Sequence, residues 1–282
     1  MSIPKTYIIA EIGINHNGDL ETAKRLIDVA VMSGCDAVKF QKRNPDVCVP
    51  EHQKDVIRET PWGTMTYINY KYRMEFGEAE YDEIDDYCAD KGIEWSASPW
   101  DLDSLEFLMD YDIPWIKIPS AMLTNHILLK KAAQTGKKII LSTGMSSEEE
   151  VDTAAGMLDT YASGGYALLH CNSSYPAKLE ELNLATICTL ADKYPNAQVG
   201  YSGHEFRIGT TVATVYLGAQ VLERHITLDR TMWGSDHLAS VEPQGLIKLV
   251  KGVRELETAL GRGEIEITPG EIAPRKKLRG DE

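Results

Sequence analysis

Three stretches late in the chain carry side chains suited to chemistry: Gly200-Tyr-Ser-Gly-His204, Leu222-Glu-Arg-His-Ile226 and Trp233-Gly-Ser-Asp236. Two neutral imidazoles on neighbouring strands, His204 and His225, can share one divalent cation, and imidazole suits borderline metals such as manganese, zinc or iron. Asp236 could add an oxygen nearby. A lone histidine at a strand end is about as often a hydrogen-bonded structural group as a ligand, so the pair gains weight only if similar groups recur elsewhere. They do: short apolar runs end in Glu11, Asn15 and His16; Lys39 and Gln41; Ser96 and Ser98; Lys117 and Ser120; Ser142 and Thr143; His170, Asn172, Ser173 and Tyr175. Lysine projecting inward from a strand is costly unless it meets an anion, so Lys39 and Lys117 among hydroxyls read as a cradle for a phosphate and a carboxylate. Each position has a plainer alternative. The lysines could pair with Glu11 or Glu223 in a structural network, the serines could close strands on the backbone, and His16 beside Asn17-Gly18 could serve a turn.

Such groups meet only if the elements that carry them converge. Eight apolar runs begin at Tyr7, Ala37, Ile93, Trp115, Lys138, Tyr166, Gln198 and Gln220, separated by amphipathic segments with helix start and stop signals. Asp19 and Ser146-Ser147 stand as N-caps before helical patterns, and Gly34, Gly92 and Gly136 stand just past their ends. Strand and helix alternating eight times at this length predict one α/β domain, a single (β/α)8 TIM barrel over residues 1–265, with every strand's carboxyl end at one mouth. A doubly wound sheet competes, but no glycine-rich dinucleotide fingerprint opens a helix. The connection after the second strand, about residues 43–78, is long enough for a lid or binding wall containing Trp62, Tyr67, Tyr70 and Tyr72. Residues 266–282 are polar and proline-broken, which predicts an extended or frayed tail and no second domain.

Composition narrows the partners. The chain has 282 residues, 43% hydrophobic and 26% charged, which is globular, and its net charge of −14 argues against nucleic acid or an anionic membrane. An anionic substrate then requires a locally basic pocket. No apolar run approaches membrane-spanning length, and the amino terminus lacks a leader's apolar core. The five cysteines, Cys35, Cys48, Cys88, Cys171 and Cys188, are odd in number and scattered, as expected of small buried hydrophobes in a reducing compartment, so a cytoplasmic location is expected.

Ala10-Glu-Ile-Gly-Ile-Asn-His-Asn-Gly18, Val38-Lys-Phe-Gln41, Leu141-Ser-Thr-Gly-Met145, Leu168-Leu-His-Cys171 with Tyr175-Pro176, and Leu222-Glu-Arg-His225 together resemble the N-acetylneuraminate (sialic acid) synthase family over nearly the whole chain. The resemblance implies a transferase that joins phosphoenolpyruvate to an open-chain N-acylated amino sugar, N-acetylmannosamine-like, giving a 2-keto-3-deoxy sugar acid and phosphate. It implies a divalent metal on His204 and His225, manganese first, with magnesium or cobalt as alternatives. It places phosphoenolpyruvate on Lys39, Ser98, Lys117, Ser120, Ser142, Ser173 and Ser202, the acceptor sugar on Gln41, Tyr175 and Asp236, and catalysis on Glu11, Glu223, Lys39 and Lys117. A homodimer is left open.

Three departures accompany the likeness. The family's Lys-Ile-Gly-Ser-Gly-Glu reads Lys117-Ile-Pro-Ser-Ala-Met122, a thioether in place of a carboxylate. A family asparagine reads Ser173, with Asn172 adjacent as a substitute. The sequence ends where the family's carboxyl-terminal antifreeze-like domain would begin. These keep alternatives open: the same reaction on a different aldose or a sugar phosphate, a non-catalytic barrel that binds phosphoenolpyruvate or another anion, and, ranked below both, a lysine Schiff-base aldolase.

Overall fold

The structure is a computed structural model that describes residues 5–280; residues 1–4 and 281–282, the ends of the expected barrel and tail, lie outside the described residues. Eight parallel strands form the sheet: β1 (Tyr7–Gly13), β2 (Ala37–Lys42), β3 (Glu94–Pro99), β4 (Trp115–Ile118), β5 (Lys138–Ser142), β6 (Tyr166–Cys171), β7 (Gln198–Gly203) and β8 (Val221–His225). Their order is β3-β2-β1-β8-β7-β6-β5-β4. At the two ends of that order β3 and β4 lie side by side, where the Ser96 hydroxyl donates to the Trp115 carbonyl. The result is the expected (β/α)8 barrel, nearly closed.

Local signals set the helices. Asp19 accepts the Thr22 N–H to start α1 (Leu20–Ser33), and Gly34 ends it at φ 79°, a left-handed conformation that costs a β-carbon dearly. Ser147 and Glu150 form a reciprocal capping box at the start of α5 (Glu148–Tyr161). The intervening helices are α2 (Glu78–Lys91), α3 (Leu102–Leu108) and α4 (His126–Ala133); α6 (Thr186–Lys193), α7 (Gly209–Tyr216) and α8 (Pro243–Ala259) complete the outer ring.

A two-residue side-chain period divides the core. Ile8, Ala10, Val38, Phe40, Ile116, Leu168 and Leu222 face the helices. Ile9, Ala37, Trp115, Ile140, Ala167, Leu169 and Val221 fill the barrel as a separate apolar plug. Two residues further along each strand, on the same inward face, come Glu11, Lys39, Lys117, Ser142, Cys171 and Glu223, with Ser202 two beyond Gly200. Register aligns them: Glu11 lies opposite both Lys39 and His225, Gln41 opposite Ser98, and Ser202 opposite both Cys171 and Glu223. A polar layer therefore sits on an apolar floor.

The segment after β2 is structured. It holds short helices at Pro45–Cys48 and Glu51–Lys54, a hairpin of Ile57–Thr60 with Gly63–Thr66, and a helix at Tyr67–Met74. Trp62 and Tyr70 meet Trp233 edge-on at 5.4 and 5.2 Å, which ties the insertion to the loop after β8. The tail departs from the extended expectation. Thr268 and Glu271 form a capping box around Pro269, and Ile272–Arg279 is an exposed helix. Proline in a first turn gives up an N–H that has no partner there, so these prolines do not oppose the helix. Among the described residues no helix is long and apolar enough to cross a membrane.

Candidate active site

The polar layer lines a cavity of about 250 Å³ at the carboxyl ends of the strands. Lys39 Nζ stands 2.8 Å from Glu11 Oε2 and 3.9 Å from Glu223 Oε2, and donates to Ser98 Oγ at 2.8 Å. Lys117 Nζ donates to Ser142 Oγ at 2.6 Å and lies 3.8 Å from Glu223 Oε1. Gln41 Nε2 donates to Glu11 Oε1, and Ser202 Oγ donates to Glu223 Oε1 at 2.9 Å. All four charges are buried. The lysines thus do pair with the two acids, and the network is electrically balanced.

Their charged neighbours set the two equally buried acids apart. Burial raises Glu11 above the usual carboxylate range, with Lys39 pulling the other way. Burial also opposes ionisation of Glu223, but Lys117 and Lys39, helped by the Ser202 hydrogen bond, outweigh it and hold that carboxyl low. Lys117 is pushed below its ordinary value by burial, against the pull of Glu223. Two carboxyls in one cavity with diverging proton affinities are the arrangement in which one stays charged while the other trades protons.

His204 and His225 face each other with ring centroids 5.4 Å apart, and Tyr175 packs on His204 at 4.1 Å. His204 Nδ1–H donates to the Asn172 carbonyl at 2.7 Å, which leaves Nε2 as the ring nitrogen able to bind a cation once unprotonated; burial opposes the charged form, but the neighbouring Cys171 and this carbonyl outweigh it and raise the proton affinity. His225 Nδ1 is buried without a hydrogen-bond partner, 3.8 Å from Asp236 Oδ2, and burial keeps this imidazole neutral well below its usual range. The neutral His225, and His204 once deprotonated, fit a borderline divalent cation. Among the described residues no group of three or more His, Cys, Asp or Glu side chains is placed to hold a metal, so other ligands would have to complete its shell.

Most of the expected residues converge here: Glu11, Lys39, Gln41, Lys117, Ser120, Ser142, Ser173, Tyr175, Ser202, His204, Glu223 and His225 all line the cavity. Ser98 and Asp236 stand one contact behind its wall. Other strand-end groups go elsewhere. Ser96 closes the barrel seam, Asn15 bonds the Ile226 carbonyl and Ser240, and His170 faces outward to the Leu182 carbonyl. His16 is a turn residue, accepting the Gly18 N–H on Nδ1 and stacking on Phe76 at 4.0 Å. Asn172 spends its side chain on the Glu181 carbonyl and the Ser174 N–H, so it does not replace the family asparagine. Met122 packs on the core and lines a separate groove with Leu102 and Asn125, outside the reacting cavity.

Sequence reasoning missed Trp100, Met145 and Cys171 in the wall. Cys171, expected to be an inert hydrophobe, lies two residues past Leu169 on the inward face, with Sγ 3.8 Å from His204 Nδ1. Strand parity was the signal for it. Cys188 also departs from the buried expectation and is exposed. A larger recess of about 830 Å³ between Phe206, Arg230 and Pro243 holds no comparable cluster of buried charge.

Known proteins share this arrangement of strands. The solved N-acetylneuraminic acid (sialic acid) synthetase of Leptospira borgpetersenii, in complex with citrate, superposes with a TM-score of 0.85 at 35% identity, covering 98% of this chain and 93% of that one. The human N-acetylneuraminate-9-phosphate synthase is 39% identical over 96% of this chain and 76% of its own length. The N,N'-diacetyllegionaminic acid synthase of Campylobacter jejuni is 39% identical over 92% of this chain and 78% of its own. With residues 26–265 also matching the NeuB family as a whole, the chain belongs to that family of sugar-acid synthases and is an enzyme, a transferase.

Proposed function

We propose that this enzyme condenses phosphoenolpyruvate with the open-chain form of an N-acylated amino sugar, N-acetylmannosamine-like, to give a sialic-acid-like 2-keto-3-deoxy sugar acid and phosphate. The observation that carries this reading is the convergence of two buried lysines, two buried acids and two facing histidines on one cavity. Lys39 and Lys117, with Ser98, Ser120, Ser142, Ser173 and Ser202, hold the donor's phosphate and carboxylate, and those anions replace the glutamates as partners of the ammonium groups. Gln41, Tyr175 and Asp236 place the acceptor. His204 and His225 would hold a divalent cation, manganese first, which when bound supplies Lewis-acid polarisation of the sugar aldehyde.

The electron pair of the donor's C2–C3 double bond forms the new bond to the aldehyde carbon, and the aldehyde oxygen takes a proton from Glu11 to become a hydroxyl. Water adds at C2 and gives its proton to Glu11, whose proton affinity burial has raised. Breaking the C2–O bond to phosphate, with the new C2 hydroxyl's proton leaving on the phosphate, then gives the ketone. Glu223, held ionised, keeps the lysines charged and oriented until the donor's anions arrive.

Identity alone does not choose the acceptor, since the human and C. jejuni relatives, with different products in their names, are equally similar to this chain. The test is phosphate release from phosphoenolpyruvate by chelator-stripped, manganese-reloaded enzyme across a panel of N-acylhexosamines and their phosphates. Release that requires both substrates and the cation, with a product mass equal to donor plus acceptor plus water minus phosphoric acid, is expected. Background release with every aldose in the panel overturns the reading.

A further inference from the structure

Where the outer face of β7 and β8 meets α7, the apolar layer gives way to charge. Strand parity turns Tyr201, Gly203 and Glu205 away from the cavity that Ser202 and His204 line, and turns Arg224 away from Glu223 and His225. Arg224 and Glu205 are both buried. Arg224 Nη1 donates to Glu205 Oε1 at 3.1 Å, to Thr211 Oγ1 at 2.5 Å and to the Arg207 carbonyl at 3.2 Å, and Nη2 donates to the Glu205 carbonyl. Glu205 Oε1 also accepts the hydroxyls of Thr210 and Thr211 on α7, and Oε2 accepts the Tyr201 hydroxyl at 2.9 Å. A β-carbon on Gly203 would lie 2.6 Å from Tyr201 Cε1 and 2.7 Å from Glu205 Oε2, so the cluster fills the space a side chain would need.

Stability alone does not account for such a pair, since apolar groups of the same volume often serve a core as well. What it adds is a connection that the backbone lacks. The ladder between β7 and β8 ends at Gly203 and Arg224, one residue short of each histidine. Beyond that point the two strands take different partners. His225 is in register with Glu11 of β1 and gives its carbonyl to the Val241 N–H. His204 gives its carbonyl to the Ala177 N–H, and Glu205 bridges to Ala177 in the loop after β6. Arg224, the neighbour of His225, reaches across that gap and grips both the carboxylate and the carbonyl of Glu205, the neighbour of His204.

We propose that Arg224 and Glu205 are positioning residues for the cation site: from the outer face of the barrel they hold His204 and His225, with ring centroids 5.4 Å apart, at one fixed spacing. The pair lines no part of the reacting cavity and acts only through the backbone of the adjacent histidines. Without it the loop after β7 is free to shift against β8, and cation affinity falls while the barrel stays folded. Groups one step behind a metal ligand set roughly 10- to 100-fold in affinity.

The inference rests on the two-histidine cation site proposed above, and one experiment separates the two. Manganese(II) chloride is titrated calorimetrically into the chelator-stripped full chain. Glu205→Gln, which keeps the side chain's volume and drops its charge, and Arg224→Lys, which keeps the charge and loses the planar fork, should each weaken binding about tenfold or more. Val253→Ala, in the apolar layer on α8, should lower the melting temperature and leave manganese affinity unchanged. Tyr201→Phe removes one hydrogen bond from Glu205 Oε2 and keeps the ring; it should weaken binding roughly twofold to fivefold, and it carries the test if the other two variants fail to fold. Turnover lost in the variants should return as manganese is raised. Unchanged affinity in the folded variants, a loss that Val253→Ala matches at equal melting cost, or turnover that no manganese concentration restores overturns the positioning role and leaves the cation site standing. A wild type that binds no manganese overturns both.

Discussion

Four buried charges linked in a chain by contacts under 4 Å are an expensive thing to fold around, since each ion gives up several kcal/mol of hydration, as an order of magnitude. Lys39, Lys117, Glu11 and Glu223 tolerate it by pairing, and the pairing also keeps the site neutral until a substrate anion displaces a glutamate. His16 shows the opposite use of a buried titratable group. It is stacked on Phe76, and burial lowers its pKa to about 3 from 6.5, with Asp19 pulling weakly the other way. Between those values the unfolded chain binds a proton that the native state refuses, so stability present above pH 6.5 is lost as pH falls. Urea unfolding of the wild type and His16→Gln from pH 7.5 to 5 should show the wild type's margin shrinking by about 1.4 kcal/mol per pH unit below 6.5. A margin that stays flat would mean the imidazole protonates in the native state.

Strand parity turns this chemistry into a layer, and two glycines show how little room is left. A β-carbon on Gly200, inside β7, would lie 2.2 Å from the Val221 carbonyl oxygen and 2.5 Å from Leu169 Cδ2, both parts of the neighbouring strands. One on Gly144, in the turn before α5, would lie 2.4 Å from Ser173 Oγ and 2.8 Å from Ser120 Oγ, the groups assigned to the donor. Gly200→Ala is therefore expected to lower the unfolding free energy by about 1–3 kcal/mol or more, through overpacking. Gly144→Ala should instead raise KM for phosphoenolpyruvate about tenfold with a smaller effect on melting, because hydroxyls can rotate and strands cannot. Thermal melts beside steady-state kinetics check the contrast, and equal melting losses would sink it. The same parity explains what could be read beforehand. Eight apolar runs, their caps and the inward lysines announced the barrel and its mouth, because each signal is local. Cys171 was misread because it was judged by residue type and not by its place two beyond Leu169. His170 and Asn172 were misread because strand-end position does not say which face a side chain takes. The hairpin around Trp62 depends on Trp233, some 170 residues away, and no local pattern encodes that contact.

Charge over the whole molecule bears on how the donor arrives. The chain carries −14, and the cations of the reacting cavity are cancelled by Glu11 and Glu223 beside them. A free molecule of phosphoenolpyruvate, itself a multiple anion, therefore meets a repelling envelope, with attraction beginning only at contact. Enzymes that steer charged substrates lose kcat/KM steeply as salt rises; this one has the field to do the reverse. Raising sodium chloride from 10 to 150 mM shortens the screening length from about 30 to about 8 Å, which removes long-range repulsion and leaves buried contacts largely intact. With manganese and acceptor fixed and saturating, kcat/KM for phosphoenolpyruvate is expected to hold or rise over that range. A steep fall would show that the exposed face around the mouth is attractive despite the total, and that the lysines are felt from solvent before their glutamate partners are displaced.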